Sequence, residues 1–158
     1  MSGRREPEAV TKSIVVRRNA PHVFRLWTEQ IDAWWPTGHS MSRDPDTRVV
    51  LECKPGGRFY ERTPDGDEYY WGEVERWEPP HHLTLAWYMG SGQEKPSRVA
   101  MQFVPLADGA TRVEVVHRGP ELLGGLWESR QEIFSGSWER ILSALSRYAG
   151  HTKRDEAE

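Results

Sequence analysis

Apolar and polar residues alternate through the middle of the chain, in short runs. The runs lie at 48–53, 58–62, 68–77, 83–89, 97–106 and 111–118. The junctions between them are rich in Pro, Gly and Asp. Alternation with a period of two is typical of strands with one buried face, and turns of this composition join antiparallel neighbours. The pattern therefore predicts a meander of six antiparallel strands.

A further strand and two short helices are predicted before this meander. Residues 12–18 (KSIVVRR) have the composition of a strand. Asn19 and Pro21 suit the N-cap and the first turn of a helix. The stretch IDAWW predicts a second short helix, and residues 36–47 are rich in turn formers and predict a loop.

Helical periodicity extends over residues 130–149. Apolar side chains recur there at intervals of three and four, at Phe134, Trp138, Ile141, Leu142, Leu145 and Tyr148. Gly136 interrupts this pattern at a cost of about 1 kcal/mol relative to Ala. It indicates either a break before the helix or a point of close approach. The predicted class is α+β: a curved six- to seven-stranded antiparallel sheet wraps around a long C-terminal helix, with two short helices after the first strand.

Alternation also predicts which face of the sheet the long helix covers. The residues of this face are Leu83, Leu85, Trp87, Met89, Val99, Met101, Phe103, Val113, Val115 and His117. All of them except His117 are apolar, so another element must shield this face from water.

Composition indicates one domain, at 11–150, with polar and flexible tails at 1–10 and 151–158. The 158 residues include 21 Lys and Arg against 24 Asp and Glu, for a net charge of −3. Neither sign forms a long block, which argues against nucleic acid as a partner. No apolar run approaches the roughly 20 residues that span a membrane, and no secretion signal is recognisable, so we expect a cytoplasmic protein. The sequence leaves open whether it is a monomer or a homodimer.

Five segments in order resemble the START-like or SRPBCC superfamily of helix-grip proteins. They are PHVFRLWTE followed by the WW pair, GGRFYERTPDG, WGEVERWEPPHHLTLAW, TRVEVVHRG and GSWERILSAL. The resemblance covers residues 12–149 and is closest to the branch named for the ATPase-activator domain of a co-chaperone of the 90-kDa heat-shock protein. It implies a single helix-grip domain with a cavity between sheet and long helix, in a branch whose bacterial members usually have no assigned reaction.

Eight tryptophans are the main compositional feature. Indoles offer wide apolar surfaces and one N–H donor, so a group of them either fills a core or lines a pocket. On the helix-grip fold, we expect a ligand-binding cavity lined by Trp35, Tyr60, Trp71, Trp87, Met101, Phe103, His117, Phe134 and Trp138. Plain core packing is the alternative for each residue taken singly.

Polar candidates are fewer. His117 is either a proton-transfer group in the cavity or a core histidine bonded to a neighbour, and the second interpretation is favoured. His39 and Ser40 are adjacent in the sequence, but adjacency fixes no mutual geometry. They are therefore weak evidence for a catalytic base and its nucleophile. A surface ladder of ion pairs is expected from Glu52, Arg58, Glu61 and Arg62, although an inward Arg58 would anchor a ligand carboxylate or phenolate.

No cofactor or metal is predicted, because phosphate-binding, dinucleotide and paired-cysteine motifs are missing from the sequence and the His81 and His82 pair has no zinc-site spacing. The favoured function is binding of a small hydrophobic or aromatic molecule. One alternative is a cyclase or aromatase acting on a cavity-bound polyketone through His117, Arg58 or Tyr60. The last is an interaction with a chaperone, for which Trp127 and the segment PELLGGLW offer a contact patch.

Overall fold

The computed structural model describes residues 9–89, 96–119 and 125–151. Its strands are β1 (Val10–Val16), β2 (Arg48–Leu51), β3 (Arg58–Arg62), β4 (Glu68–Glu78), β5 (His82–Trp87), β6 (Ser97–Pro105) and β7 (Thr111–Arg118). Its helices are α1 (Ala20–Trp27), α2 (Ile31–Trp34) and α3 (Gly125–His151), with a short 3-10 turn at Ala107–Gly109.

The strands form one curved antiparallel sheet in the order β1-β7-β6-β5-β4-β3-β2. This arrangement confirms the α+β class, the meander and the additional first strand, which pairs with β7. That strand begins two residues earlier than predicted: Val10 pairs with His117 and Val16 with Thr111. Val10 thus belongs to the sheet, whereas the sequence placed it in the N-terminal tail. The predicted tail residues 1–8 and 152–158, and residues 90–95, lie outside the described residues.

Local signals explain where α1 begins. Asn19 has an extended backbone, and its side-chain oxygen accepts a hydrogen bond of 2.8 Å from the backbone N–H of His22. Pro21 occupies the first turn, where its missing N–H is harmless. The helix then buries Val23, Phe24 and Trp27 against the sheet, as the spacing indicates.

α3 covers the concave face of the sheet, and the predicted face is confirmed as buried. Of its ten residues, nine are buried and Met89 is half-buried. The helix contributes Phe134, Trp138, Ile141, Leu142, Leu145 and Ala149 to the same core. In the described part of the chain, no helix has the length and apolar character needed to cross a membrane.

Gly136 lies within the continuous helix, so the predicted break is wrong. Close approach by another described part of the chain is wrong too, because a Cβ built on Gly136 would meet none of its atoms within 4 Å. Replacing Gly136 with Ala should therefore raise the free energy of unfolding by about 0.5–1 kcal/mol, since Ala loses less backbone entropy on folding. Urea unfolding of the variant checks this value. A destabilised variant would show that the position needs glycine for a reason other than space.

Candidate functional site

Aromatic rings form a continuous series through the interior, from Trp35 at the end of α2 to α3. Trp35 packs on Trp71 with ring centroids 5.3 Å apart, and Phe59 lies edge-on to Trp71 at 5.2 Å. Trp87 then contacts Phe59 at 5.7 Å and Trp138 of α3 at 5.3 Å. The Phe59–Trp71 pair is edge-to-face and the other three pairs are tilted. Favourable aromatic pairs contribute about 0.5–1.5 kcal/mol each beyond area burial. We call this series the aromatic core.

Five of the nine predicted cavity residues belong to the aromatic core or touch it directly: Trp35, Trp71, Trp87, His117 and Trp138. Phe134 packs on the His117 ring, with ring centroids 4.3 Å apart. Met101 joins it because its sulfur accepts a hydrogen bond from the indole N–H of Trp27. Phe103 packs 5.1 Å from Phe24, nearer to α1. Eight of the nine are therefore brought onto one side of the sheet.

Tyr60 is the residue that the structure does not bring to this side. In β3, Phe59 and Glu61 face the aromatic core, so Tyr60 faces the opposite surface of the sheet. There it is covered by the guanidinium of Arg58, 4.6 Å above its ring. Arg58 also pairs with Glu52 at 3.1 Å and Glu68 at 3.6 Å. The expected surface ladder is thus found for Arg58 and Glu52, and Arg58 does not turn inward.

A pocket of about 160 Å³ opens where α3 meets the end of β5. Its lining residues are His39, Trp87, Met89, Ile133, Phe134, Ser137, Trp138 and Ile141. Three of the nine predicted residues, Trp87, Phe134 and Trp138, are therefore pocket walls. We call this space the α3 pocket.

Two walls of the α3 pocket are held by a buried chain of hydrogen bonds. The indole N–H of Trp138 donates to Nδ1 of His117 at 3.0 Å. Nε2 of His117 lies 2.7 Å from the Ser97 hydroxyl, which is 3.4 Å from the carbonyl oxygen of Trp87. Because Nδ1 accepts, Nε2 carries the proton and donates to Ser97, whose hydroxyl donates to Trp87. The chain links α3 to β5 through β7 and β6.

Burial sets the charge of His117. The side chain is fully buried, and desolvation lowers the pKa of its imidazole to about 3. The ring is consequently neutral at physiological pH and already engaged at both nitrogens. These contacts are those of the core histidine that the sequence analysis favoured.

His39 is the polar group at the opposite wall. Its carbonyl oxygen accepts a 2.7 Å hydrogen bond from the indole N–H of Trp35, and its ring lies 5.8 Å from the Trp35 ring. Burial lowers the pKa of the His39 imidazole, and the positive charge of Arg140 lowers it further. The Ser40 hydroxyl accepts from the backbone N–H of Arg43 at 2.9 Å.

Glu61 corrects the surface-ladder prediction, because its side chain is fully buried. Its carboxylate accepts hydrogen bonds from Trp71 Nε1 (3.0 Å), Met41 N (2.6 Å), Ser42 N (3.1 Å), Ser42 Oγ (2.6 Å) and Thr47 Oγ1 (2.8 Å). Burial raises the pKa of Glu61, but the hydrogen bonds from Ser42, Thr47 and Trp71 outweigh that effect and leave the pKa lowered. Glu61 thereby fastens the loop that carries His39.

Sequence reasoning overlooked Phe59 and Ser97, and it placed Glu61 on the surface. The alternation of β3 could have predicted Phe59. Neighbouring residues of a strand face opposite sides of the sheet, so only one of Phe59 and Tyr60 can face the interior. Ser97 and Glu61 gave no signal, because their partners come from distant elements and no spacing indicates a buried polar contact.

Solved structures similar to this chain share its fold. The self-sacrificing resistance protein CalC from Micromonospora echinospora is 24% identical with a TM-score of 0.68, over 90% of this chain and 94% of its own. A protein from Nitrosomonas europaea is 15% identical with a TM-score of 0.67, over 92% and 96%. An anthrahydroquino-gamma-pyrone synthase, solved as a complex, is 30% identical with a TM-score of 0.58, over 92% and 97%. No curated protein is similar enough to be matched.

The family comparison agrees with the fold and with the resemblance found in the sequence. The model of one family matches residues 18–150, from just after β1 to the last turn of α3. The chain belongs to the family described as activator of Hsp90 ATPase homolog 1-like proteins.

Proposed function

We propose that the protein binds a small apolar or aromatic molecule in the α3 pocket. The observation that carries this proposal is the composition of the pocket wall, where aromatic and aliphatic side chains surround the space and only two polar side chains, His39 and Ser137, join them among the described residues. Apolar walls with a few polar points are typical of small-molecule sites.

The size of the pocket supports a compact ligand. A cavity of roughly 150 Å³ accommodates one benzene ring, and the α3 pocket measures about 160 Å³. The volume of the α3 pocket therefore matches that of one six-membered ring. A larger molecule would extend past the rim.

The rim offers apolar surface for such an extension. Ile133 lines the pocket, yet 66% of it is exposed. A bound molecule that covers this side chain would gain about 25 cal/mol per Å² of apolar surface removed from water.

The second candidate is synthase-like chemistry on a bound aromatic compound. It is favoured by the synthase that is 30% identical over 92% of this chain. The trio expected from the sequence does not converge, because His117 faces the interior whereas Arg58 and Tyr60 lie on the opposite face of the sheet. Any proton transfer in the α3 pocket would instead depend on His39. The chaperone interaction stays a prediction, and the side chain of Trp127 and residues 120–124 lie outside the described residues.

Ligand binding is tested by titrating single-ring and two-ring aromatic compounds while the indole N–H signals of Trp87 and Trp138 are followed by NMR. Ser137→Leu should fill the pocket and raise the dissociation constant at least tenfold, since the added side chain takes the ligand's place. Ser143→Leu, on an exposed position of the same helix, is the matched control and should bind like the wild type. Unchanged indole signals throughout the panel, or unchanged affinity in Ser137→Leu, would refute the proposal.

A further inference from the structure

The geometry points to a hydroxyl-bearing aromatic ligand, a phenol, whose O–H donates a hydrogen bond to the His39 imidazole in the α3 pocket. The inference rests on the proposed function and adds the chemical class of the ligand and the residue that recognises its hydroxyl. Four observations lead to it.

The first is that the walls of the pocket are divided. Trp87, Met89, Phe134, Trp138 and Ile141 present apolar surface, which accepts a flat ring. The polar side chains of the wall are His39, on the loop, and Ser137, on α3. A ligand that fills this space therefore meets hydrogen-bonding groups at few points, and a hydroxyl placed elsewhere would remain without a partner.

The second is that His39 has unused hydrogen-bonding capacity. Among residues 9–89, 96–119 and 125–151, neither ring nitrogen of His39 has a hydrogen-bond partner, whereas both ring nitrogens of His117 are bonded. A polar group at an apolar pocket without a protein partner is expected to meet water or ligand.

The third is that contacts other than those of its ring nitrogens hold the His39 ring in place. Its carbonyl oxygen accepts from Trp35, and its ring lies beside the Trp35 indole. The loop itself is held by four hydrogen bonds to the buried Glu61, from Met41 N, Ser42 N, Ser42 Oγ and Thr47 Oγ1. The imidazole is thus held at the pocket wall before any ligand arrives, which lowers the entropy lost on binding.

The fourth is the charge state. Burial and the nearby Arg140 both lower the pKa of His39, so the imidazole is neutral at physiological pH and offers one nitrogen as an acceptor. A phenol donates one hydrogen bond and has a flat apolar body. Burying a hydroxyl without a partner is unfavourable, and the His39 acceptor removes that penalty.

The experiment compares phenol, anisole and toluene, which share one aromatic ring. Of the three, only phenol has a hydrogen-bond donor. Their dissociation constants are measured by NMR titration of the wild type, His39→Leu, His39→Gln and Ser137→Ala. We expect wild-type protein to bind phenol more tightly than both other compounds. In His39→Leu the ratio of the toluene to the phenol constant should fall at least tenfold and the order should reverse, because the donor loses its acceptor. The amide oxygen of His39→Gln should restore part of the preference, and Ser137→Ala should change the ratio less than threefold.

The possible results separate this inference from the proposed function. If none of the three compounds binds the wild type, both fail. If they bind without preference for phenol, or if the preference survives in His39→Leu, the inference is overturned and the proposed function stands. If the preference disappears in Ser137→Ala instead, Ser137 is the hydrogen-bond partner of the ligand hydroxyl and the assignment to His39 is overturned. The comparison of phenol with anisole on wild-type protein decides the ligand class even if a variant does not fold.

Discussion

Replacing His117 with glutamine should remove much of the acid sensitivity of the folded state. In the native protein desolvation holds the pKa of His117 at about 3, whereas a histidine in an unfolded chain titrates near its ordinary value of 6.5. Between those two pH values the unfolded chain binds a proton that the folded protein does not. The free energy of unfolding therefore decreases as the pH falls through this window, by about 1.4 kcal/mol per pH unit.

The measurement is urea unfolding at pH 7 and at pH 4.5. Over that interval the buried histidine should lower the free energy of unfolding of the wild type by roughly 3 kcal/mol. The glutamine variant should not show this decrease. At pH 7 glutamine can still accept from Trp138 and donate to Ser97, so its own destabilisation should be limited to about 1–3 kcal/mol. The two curves are expected to converge on acidification.

His81→Gln is the matched control, because it removes an exposed histidine from the turn before β5. It should follow the wild-type curve at both pH values. Parallel curves for wild type and His117→Gln would contradict the prediction, and they would mean that the imidazole becomes protonated within the fold.

Regular alternation made most of the sheet predictable from sequence. In β5, β6 and β7 every second residue is apolar over several positions, and a slip of one residue would expose the whole set, so the pattern determines the register. The long helix was predictable for a similar reason, since residues such as Trp138, Ile141 and Leu145 recur at its period. The start of α1 was predictable from a local capping rule, with Asn19 at the N-cap.

The site was predictable only where it coincides with the apolar face. Trp87 and Trp138 lie on that face, so their place in the α3 pocket follows from their position in β5 and α3. β3 is short and carries a charged residue beside Phe59 on its inner face, so its alternation was ambiguous and Tyr60 was preferred. Buried polar contacts such as Glu61 with Met41 and Ser42 depend on three-dimensional proximity, which a single sequence does not reveal.

Two buried acceptors share a role that neither apolar pattern nor composition suggested. His117 accepts from the indole of Trp138 on α3, and Glu61 accepts from the indole of Trp71 on β4. The first arrangement fixes the helix wall of the α3 pocket. The second fixes the loop wall, because the same carboxylate holds Met41 and Ser42, which follow His39 and Ser40 in the loop. The pocket shape therefore depends on two polar residues that do not line it.

Replacing Glu61 with leucine should accordingly destabilise the protein by about 3–5 kcal/mol. The substitution removes the acceptor of two backbone N–H groups, two hydroxyls and one indole, and leaving buried donors unsatisfied is unfavourable by about 1–3 kcal/mol each, partly relieved where water reaches them. Glu61→Gln keeps the shape and one acceptor oxygen and should fall between leucine and wild type. Urea unfolding at pH 7 measures both, and hydrogen exchange at the amides of Met41 and Ser42 should accelerate in both.

The acid dependence separates the charge of Glu61 from its shape. Because the folded-state pKa of Glu61 is lowered, its contribution is complete above the unfolded value of about 4.5 and is lost as the pH falls through the folded value. The stability difference between wild type and Glu61→Gln should therefore shrink below about pH 4.5. Glu78→Gln, which breaks an exposed pair with Arg76, is the control and should change stability by less than about 1 kcal/mol. If Glu61→Leu were no more destabilising than this control, the carboxylate would not be what fastens the loop, and the pocket wall at His39 would need another support.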